Sequence, residues 1–233
     1  MTPGRALIVG AGAGLSAAVA RRLRADGWVV CLSARDTAKL AALCDETGAA
    51  AVACDATDPA QVAALFSQLD ASGNAPAFVL YNASKRAPGP ITDLDPADVR
   101  QAIEISAYGG FLVAQQAARR MLKAGGGAIF FTGASASVKG YPRSSSFAMG
   151  KFALRGLAQS LARELHPQGI HIAHFVIDGG IAADHRDGRQ NSAEAPDRWL
   201  EPEAIAETYM AILNQPRSAW TWEVEIRPWV ETF

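Results

Sequence analysis

The chain has 233 residues, 49% hydrophobic and 19% charged, with 22 Lys and Arg against 23 Asp and Glu and a formal net charge of −1. That supplies a continuous core for one domain over residues 1–233, while the balanced charge gives no pull toward nucleic acid or an anionic membrane. No apolar run approaches the roughly 18 residues of a membrane span, and the run before the first glycine is too short for a secretory signal. Cys31, Cys44 and Cys54 leave one thiol over in any pairing, so the expectation is a soluble cytoplasmic protein without a disulfide framework.

Strands are predicted at Ala6–Val9, Val29–Ser33, Ala50–Ala53, Ala77–Tyr81, Ala128–Phe131, Ile170–Ile177 and Trp222–Arg227. Most read as unbroken apolar runs, the pattern of strands buried on both faces. The last one alternates and ends at a proline, as an edge strand does. Between them run helical patterns at Gly14–Ala25, Ala38–Glu46, Ala60–Ala71, Ala97–Lys123, Phe147–Leu165 and Glu203–Leu213. Pro59 and Pro202 stand at helix starts, and Gly27, Gly48 and Gly169 follow helix ends. Regular alternation of strand and helix predicts an α/β fold, a doubly wound sheet of seven mostly parallel strands with helices on both faces. The one long irregular stretch, Gly179–Arg198, reads as a binding lid or a disordered loop.

The first strand runs directly into Gly10-Ala11-Gly12-Ala13-Gly14-Leu15-Ser16 and then an alanine-rich helix. A glycine turn there lets backbone approach a pyrophosphate whose charge faces the free N–H groups of the helix N-terminus. Two registers fit, Gly10-x-x-x-Gly14-x-Ser16 and Gly12-x-Gly14-x-x-Ala17; a lone glycine turn is weak evidence, and its place after the first strand of an alternating chain is what points to dinucleotide binding. The second strand ends Ser33-Ala34-Arg35-Asp36. Ala34 fills the position where an acid would bond a ribose 2′-hydroxyl, and Arg35 suits a 2′-phosphate, which favours NADP(H) over NAD(H). The plainer alternative is that Arg35 and Asp36 open a solvated helix.

With Cys54-Asp55-Ala56-Thr57, Tyr81-Asn82-Ala83-Ser84 and Phe147-Ala148-Met149-Gly150-Lys151 added to the glycine turn, nearly the whole chain resembles a short-chain dehydrogenase/reductase, a Rossmann-type fold. The resemblance implies that Gly10, Gly14, Leu15 and Ser16 cradle the diphosphate and that Asp55 and Ala56 meet the adenine. It sets Asn82 and Ala83 along the adenosine ribose, Lys151 on the nicotinamide ribose, and Gly179 to Ile181 beside the carboxamide. It also implies a homodimer or homotetramer built on Ala97–Lys123 and Phe147–Leu165; Gly109 and Gly110 would permit close approach there or within the chain. The family's active site uses Asn, Ser, Tyr and Lys. Here Phe147 takes the tyrosine's place, Ala134 the serine's with Ser135 adjacent, and Ser106 the asparagine's; only Lys151 remains. A positioned general acid is worth about 10²–10⁴ in rate, so ordinary ketone reduction needs a substitute donor. Tyr141 is the first choice, its alternative role being an aromatic lid. Asp178 reads as a pocket acid or, more simply, a turn residue.

Lys85, Arg86, Lys139, Arg143, Arg186 and Arg189 fall on loops expected at the ligand-binding edge of the sheet, suiting an anionic substrate or forming a solvated rim. Ser84, Ala134, Phe147 and His185 complete the expected substrate pocket. His171 and His174, three apart on a strand, point to opposite faces and share no metal; no zinc-like spacing occurs, and no metal is expected. These readings lead to an NADP(H)-dependent oxidoreductase acting on a small carbonyl or related unsaturated substrate, anionic if the loop cations bind it, with Lys151, Ser135 and Tyr141 at its centre. The competing reading is a catalytically inactive NADP(H)-binding sensor or assembly protein, with a lyase or isomerase third.

Overall fold

The computed structural model describes residues 1–73, 75–183 and 189–232. Its strands are β1 (Arg5–Val9), β2 (Val29–Ala34), β3 (Ala50–Ala53), β4 (Phe78–Tyr81), β5 (Gly127–Thr132), β6 (Ile170–Ile177) and β7 (Glu223–Ile226). All seven join one sheet in the order β3-β2-β1-β4-β5-β6-β7, and every neighbouring pair is parallel. The order reverses between β1 and β4, the switch point outside which such sheets open a ligand crevice.

The helices are α1 (Leu15–Ala25), α2 (Ala41–Thr47), α3 (Pro59–Ala71), α4 (Pro96–Ile103), α5 (Gly109–Ala124), α6 (Ser145–Leu165) and α7 (Pro202–Leu213). One core layer packs α1, α2 and α7 against Ile8, Leu32, Phe130 and Phe175. The other packs α3, α5 and α6 against Leu7, Val79, Ile129 and Ile172. Adjacent strand residues thus feed opposite layers, and all eight residues of β6 are buried, as a strand covered on both faces requires. Pro59 opens α3 behind Asp58, whose carboxylate accepts from the Ala60 and Gln61 N–H groups, a cap that satisfies two orphan donors.

Three expectations are corrected. The helix expected over Ala97–Lys123 is broken by a π turn at Glu104–Tyr108. The one expected over Ala38–Glu46 opens as a 3₁₀ turn, Ala38–Leu40, before α2. β3, whose apolar run fits the pattern expected of most strands as buried on both faces, is an edge strand with largely exposed alanines. Gly109 and Gly110 serve packing within the chain: a Cβ on Gly109 would stand 2.4 Å from Tyr81 Oη, and one on Gly110 2.8 Å from Leu154 Cδ1.

Candidate functional site

A cleft of about 1000 Å³ opens at the C-terminal ends of the strands. Its middle is the turn after β1. Gly10 and Ala11 donate their N–H groups to Ser33 O at 2.9 and 3.0 Å, and Gly10 has φ +81°. A Cβ on Gly10 would lie 2.4 Å from Ala83 N, whereas one on Gly12 or Gly14 would meet nothing within 4 Å. Gly10 therefore closes the turn against the end of β4, and Gly12 and Gly14 face open space. Gly14 is the N-cap of α1, which has no side-chain cap and no acid in its first turn. That helix end presents its dipole and N–H groups to an anion, the environment a diphosphate fits. Ser16 Oγ donates to Gly10 O at 3.3 Å and accepts from Asn82 Nδ2 at 2.7 Å. Asn82 thus ties α1 to the end of β4.

The β2–β3 end of the cleft is lined by Arg35, Lys39, Asp55 and Ala56. Asp36 turns away, its Oδ1 accepting from Ala38 N at 3.0 Å. Asp55 Oδ1 accepts from both N and Oγ1 of Thr57. Cys54 also reaches the wall; burial pushes its thiol up to about 11, so it is no nucleophile at neutral pH.

The β4–β6 end carries Ser84, Arg86, Ala134, Ser135, Tyr141, Phe147 and Lys151. Lys151 is 2% exposed, and its Nζ donates to Thr132 O at 2.7 Å. Burial, with a smaller push from the Arg86 charge, brings its pKa down to about 7. The Arg86 guanidinium carbon lies 4.0 Å over the Phe147 ring, and Lys151 Nζ lies 5.8 Å from the same ring. Ser137 Oγ accepts from Ala134 N at 3.1 Å, which fixes the short 3₁₀ turn Ser135–Ser137. Asp178, buried at the end of β6, accepts from Lys139 Nζ at 3.1 Å and Arg227 Nη2 at 2.7 Å. It is a doubly paired carboxylate on the cleft wall.

Residues 10–224 match the family model described as enoyl-(acyl carrier protein) reductase. Cis-4-hydroxycyclohexanecarboxylate dehydrogenase of Sinomonas cyclohexanicum is 30% identical, covering 91% of this chain and 90% of that protein. The chain belongs to the short-chain dehydrogenase/reductase family. A second family member, the 3-oxoacyl-[acyl-carrier-protein] reductase MabA of Mycobacterium tuberculosis, is 28% identical over 76% of this chain and 69% of its own length. Among solved structures, a short-chain dehydrogenase from Rhodopseudomonas palustris superposes with a TM-score of 0.81 at 34% identity, covering 97% of this chain and 99% of the other. A metagenomic short-chain oxidoreductase in complex with NADP gives 0.83 at 26% identity, with 97% of each chain covered. These relatives are oxidoreductases, and the short-chain dehydrogenase/reductase fold binds a nicotinamide cofactor.

The cleft brings together the residues expected to hold the cofactor, the catalytic set Lys151, Ser135 and Tyr141, and Ser84, Ala134 and Phe147 of the expected substrate pocket, whereas Lys85, Lys139 and Arg143 do not line it, and His185 and Arg186 lie outside the described residues. Of the basic loop residues, Arg86 and Arg189 line the cleft. Lys85 instead pairs with Asp98 at 2.7 Å and bonds Gln101, and Lys139 is bound to Asp178. Ser106 is fully buried one layer behind the wall, where a Cβ on Gly150 would come within 2.8 Å of its own Cβ; Ile105 reaches the cleft in its stead. Sequence reasoning missed Lys39 and Thr132. Lys39 had a usable signal, a second cation one turn beyond Arg35. Among the described residues, no helix is long and apolar enough to cross a membrane.

Proposed function

We propose that this protein is an NADP(H)-dependent oxidoreductase that acts on a small anionic carbonyl or related unsaturated substrate, with Phe147 standing where the family's tyrosine does. The observation that carries the reading is the glycine turn with its uncapped helix end, joined in one cleft to the buried Lys151. NADP(H) is favoured over NAD(H) because Arg35 and Lys39 line the β2 end while Asp36 is engaged with Ala38 N, and a 2′-phosphate needs cations where a 2′-hydroxyl needs an acid. The NADP complex of a 26%-identical relative supports the same choice. An anionic substrate is supported by Arg86 and Arg189 on the cleft wall and by a 30%-identical relative whose named substrate is a carboxylate.

A bound reduced nicotinamide supplies the hydride. Gly10, Gly14, Leu15 and Ser16 hold the diphosphate, Asp55 and Ala56 meet the adenine, Asn82 and Ala83 border its ribose, and Gly179 and Ile181 flank the carboxamide. Lys151 grips the far ribose. Ser135 polarises the substrate carbonyl, Phe147 forms an apolar wall, and Tyr141 gives the proton to the product oxygen. Lys139 Nζ lies 5.9 Å from the Tyr141 ring, and its bond to Asp178 is the chief cause that raises its pKa, so a fixed positive charge stands beside the phenol. Ser84 and Ala134 close the substrate pocket, to which His185 is also assigned. The working assembly is a homodimer or homotetramer in the cytoplasm. Its support is the exposed apolar set Tyr108, Phe111, Met149 and Phe152 on the α5–α6 side, with the Tyr108 and Phe111 rings stacked at 6.2 Å.

The test is Phe147→Tyr. A phenol four residues before Lys151 lies on the same helix face and adds a second general acid in register with that lysine, so NADPH-dependent reduction of neutral vicinal diketones should rise, with about 10²–10⁴ as the ceiling. An unchanged rate in a variant that still folds and binds NADPH contradicts the assignment of Phe147 to the tyrosine's place.

A further inference from the structure

Two lysine–aromatic pairs of nearly equal spacing stand at the β4–β6 end of the cleft. Lys151 Nζ lies 5.8 Å from the centre of the Phe147 ring, and Lys139 Nζ lies 5.9 Å from the centre of the Tyr141 ring. The first pair has no hydroxyl for its ammonium to act on, and Lys151 is committed to Thr132 O at 2.7 Å. The second has a phenol, and that phenol lines the cleft together with Ser135. Lys139 does not itself line the cleft, so its effect there passes through Tyr141.

The Lys139 ammonium is fixed in place. Asp178 is buried at the end of β6, with its N–H donating to Ile226 O at 2.8 Å. Its Oδ2 accepts from Lys139 Nζ at 3.1 Å and from Arg227 Nη2 at 2.7 Å, and Arg227 Nη2 donates to Glu225 Oε1 as well. The Lys139 side chain is 39% exposed, and an ion pair that wet adds little to stability; what it does is hold a charge at a chosen place. The backbone does the same for the phenol. Val138 N and Lys139 N both donate to Ser135 O at 3.0 Å, Ser144 N donates to Tyr141 O at 3.2 Å, and Gly89 N donates to Arg143 O at 3.0 Å. The loop before α6 is thus tied on both sides of Tyr141. After Asp178, the Tyr141 phenol is the side chain that most favours the charged form of Lys139, through a hydrogen bond between the two.

We propose that Lys139, anchored by Asp178, is a positioning residue that holds and charges Tyr141 as the proton donor, a tyrosine–lysine unit in the loop before α6 that stands in for the one α6 lacks. This rests on the oxidoreductase reading above and adds the residues through which its proton donor works. The substrate oxygen receives the carbonyl electron pair as hydride arrives from the reduced nicotinamide, which is oxidised. The Tyr141 O–H bond breaks and gives that oxygen its proton. The ammonium beside it stabilises the phenolate left behind. Lys139 then passes one N–H proton to the phenolate and is recharged by water on its exposed side.

The experiment has two arms. One measures turnover of butane-2,3-dione with NADPH; the other follows nitration of Tyr141 by tetranitromethane, a phenolate-directed reagent, on the coenzyme-free protein at one fixed pH. Tyr141→Phe should lower kcat by about 10² or more. Lys139→Gln should lower kcat about tenfold with KM unchanged, and Lys139→Arg should keep most of the rate. In the Tyr141→Phe background, Lys139→Gln should cost nothing further, because its effect runs through the phenol; a residue that only supported the fold would slow both. Nitration of Tyr141 should be severalfold slower in Lys139→Gln and near wild type in Lys139→Arg. Equal nitration in wild type and Lys139→Gln overturns the proposal, as does a Lys139→Gln loss that persists without the Tyr141 hydroxyl, or a Tyr141→Phe variant as fast as wild type. Failure of the oxidoreductase reading shows separately, as no NADPH oxidation by the wild type while the nitration difference persists, and it takes the proposal with it.

Discussion

Lys151 is the residue on which the site's pH behaviour turns. An ammonium buried beside Arg86 and bonded to one carbonyl loses most of its hydration, and its pKa falls to about 7 from 10.5. Below that value the side chain is charged and above it neutral, so a reaction that needs the ammonium to hold ribose or carry a proton falls off as pH rises through 7. The pH profile of NADPH-dependent turnover should therefore show a descending limb near neutrality. Arg86→Gln removes the smaller of the two depressing influences and should move that limb to higher pH. A limb unmoved by the substitution would mean that Arg86 has no electrostatic reach to Lys151. Asp178 shows how much of such detail depends on folding: its partners lie 39 residues upstream and 49 downstream, and no local pattern in the sequence predicts that both arrive.

At the scale of elements, the glycine turn gives the sharpest contrast. The same substitution at two positions should fail for different reasons. Gly10→Ala puts a methyl group 2.4 Å from Ala83 N at a φ of +81°, so it should lower thermal stability and coenzyme affinity together. Gly12→Ala meets no protein atom within 4 Å; it should melt within about 1 °C of wild type while losing NADPH affinity at least tenfold. Equal loss of stability in both variants would contradict the turn geometry. This unit was legible because an apolar run, a glycine cluster and an alanine-rich helix each carry local signals that agree. The π turn at Glu104–Tyr108 was not: no glycine or proline interrupts Glu104-Ile105-Ser106-Ala107-Tyr108. What accompanies it is tertiary, the Tyr81 hydroxyl donating to Ile105 O and Gly150 letting α6 close on Ser106. β3 misled for the converse reason, since a run of alanine and valine reads the same on an edge as in the middle of a sheet. Alternation located the strand ends, and the resemblance to the family singled out Asp55, Asn82 and Gly179 there; of the loop cations expected at that edge only Arg86 and Arg189 line the cleft among the described residues, because a loop's course follows no periodicity.

For the whole molecule, the two buried histidines couple stability to pH. His171 Nε2 donates to Thr221 O at 2.9 Å, with the ring stacked 4.6 Å from Trp220. His174 Nδ1 meets Glu223 Oε2 at 3.0 Å beneath Gly133. The remaining nitrogen of each ring has no hydrogen-bond partner among the described residues. Burial pushes both pKa values down to about 4 from 6.5, outweighing the opposing pull of Glu223 on His174, so the His174–Glu223 contact is a hydrogen bond at neutral pH and an ion pair only in acid. Between pH 6.5 and 4 the unfolded chain binds protons that the folded one refuses. Stability then falls as pH drops through that window, by on the order of 3 kcal/mol for each ring. Urea midpoints at pH 7 and pH 4.5 should differ accordingly, and His171→Phe, which keeps an aromatic ring against Trp220, should shrink the difference; an undiminished difference would exonerate His171.

The largest claim is that the glycine turn, the Arg35–Lys39 end and Lys151 together form one binding site for a reduced dinucleotide phosphate. Calorimetric titration of the purified protein with NADPH and with NADH tests it directly. One site per chain should bind NADPH at least tenfold more tightly than NADH, with the margin lost in an Arg35→Ala, Lys39→Ala double variant. Binding of neither coenzyme, or tighter binding of NADH, would contradict it.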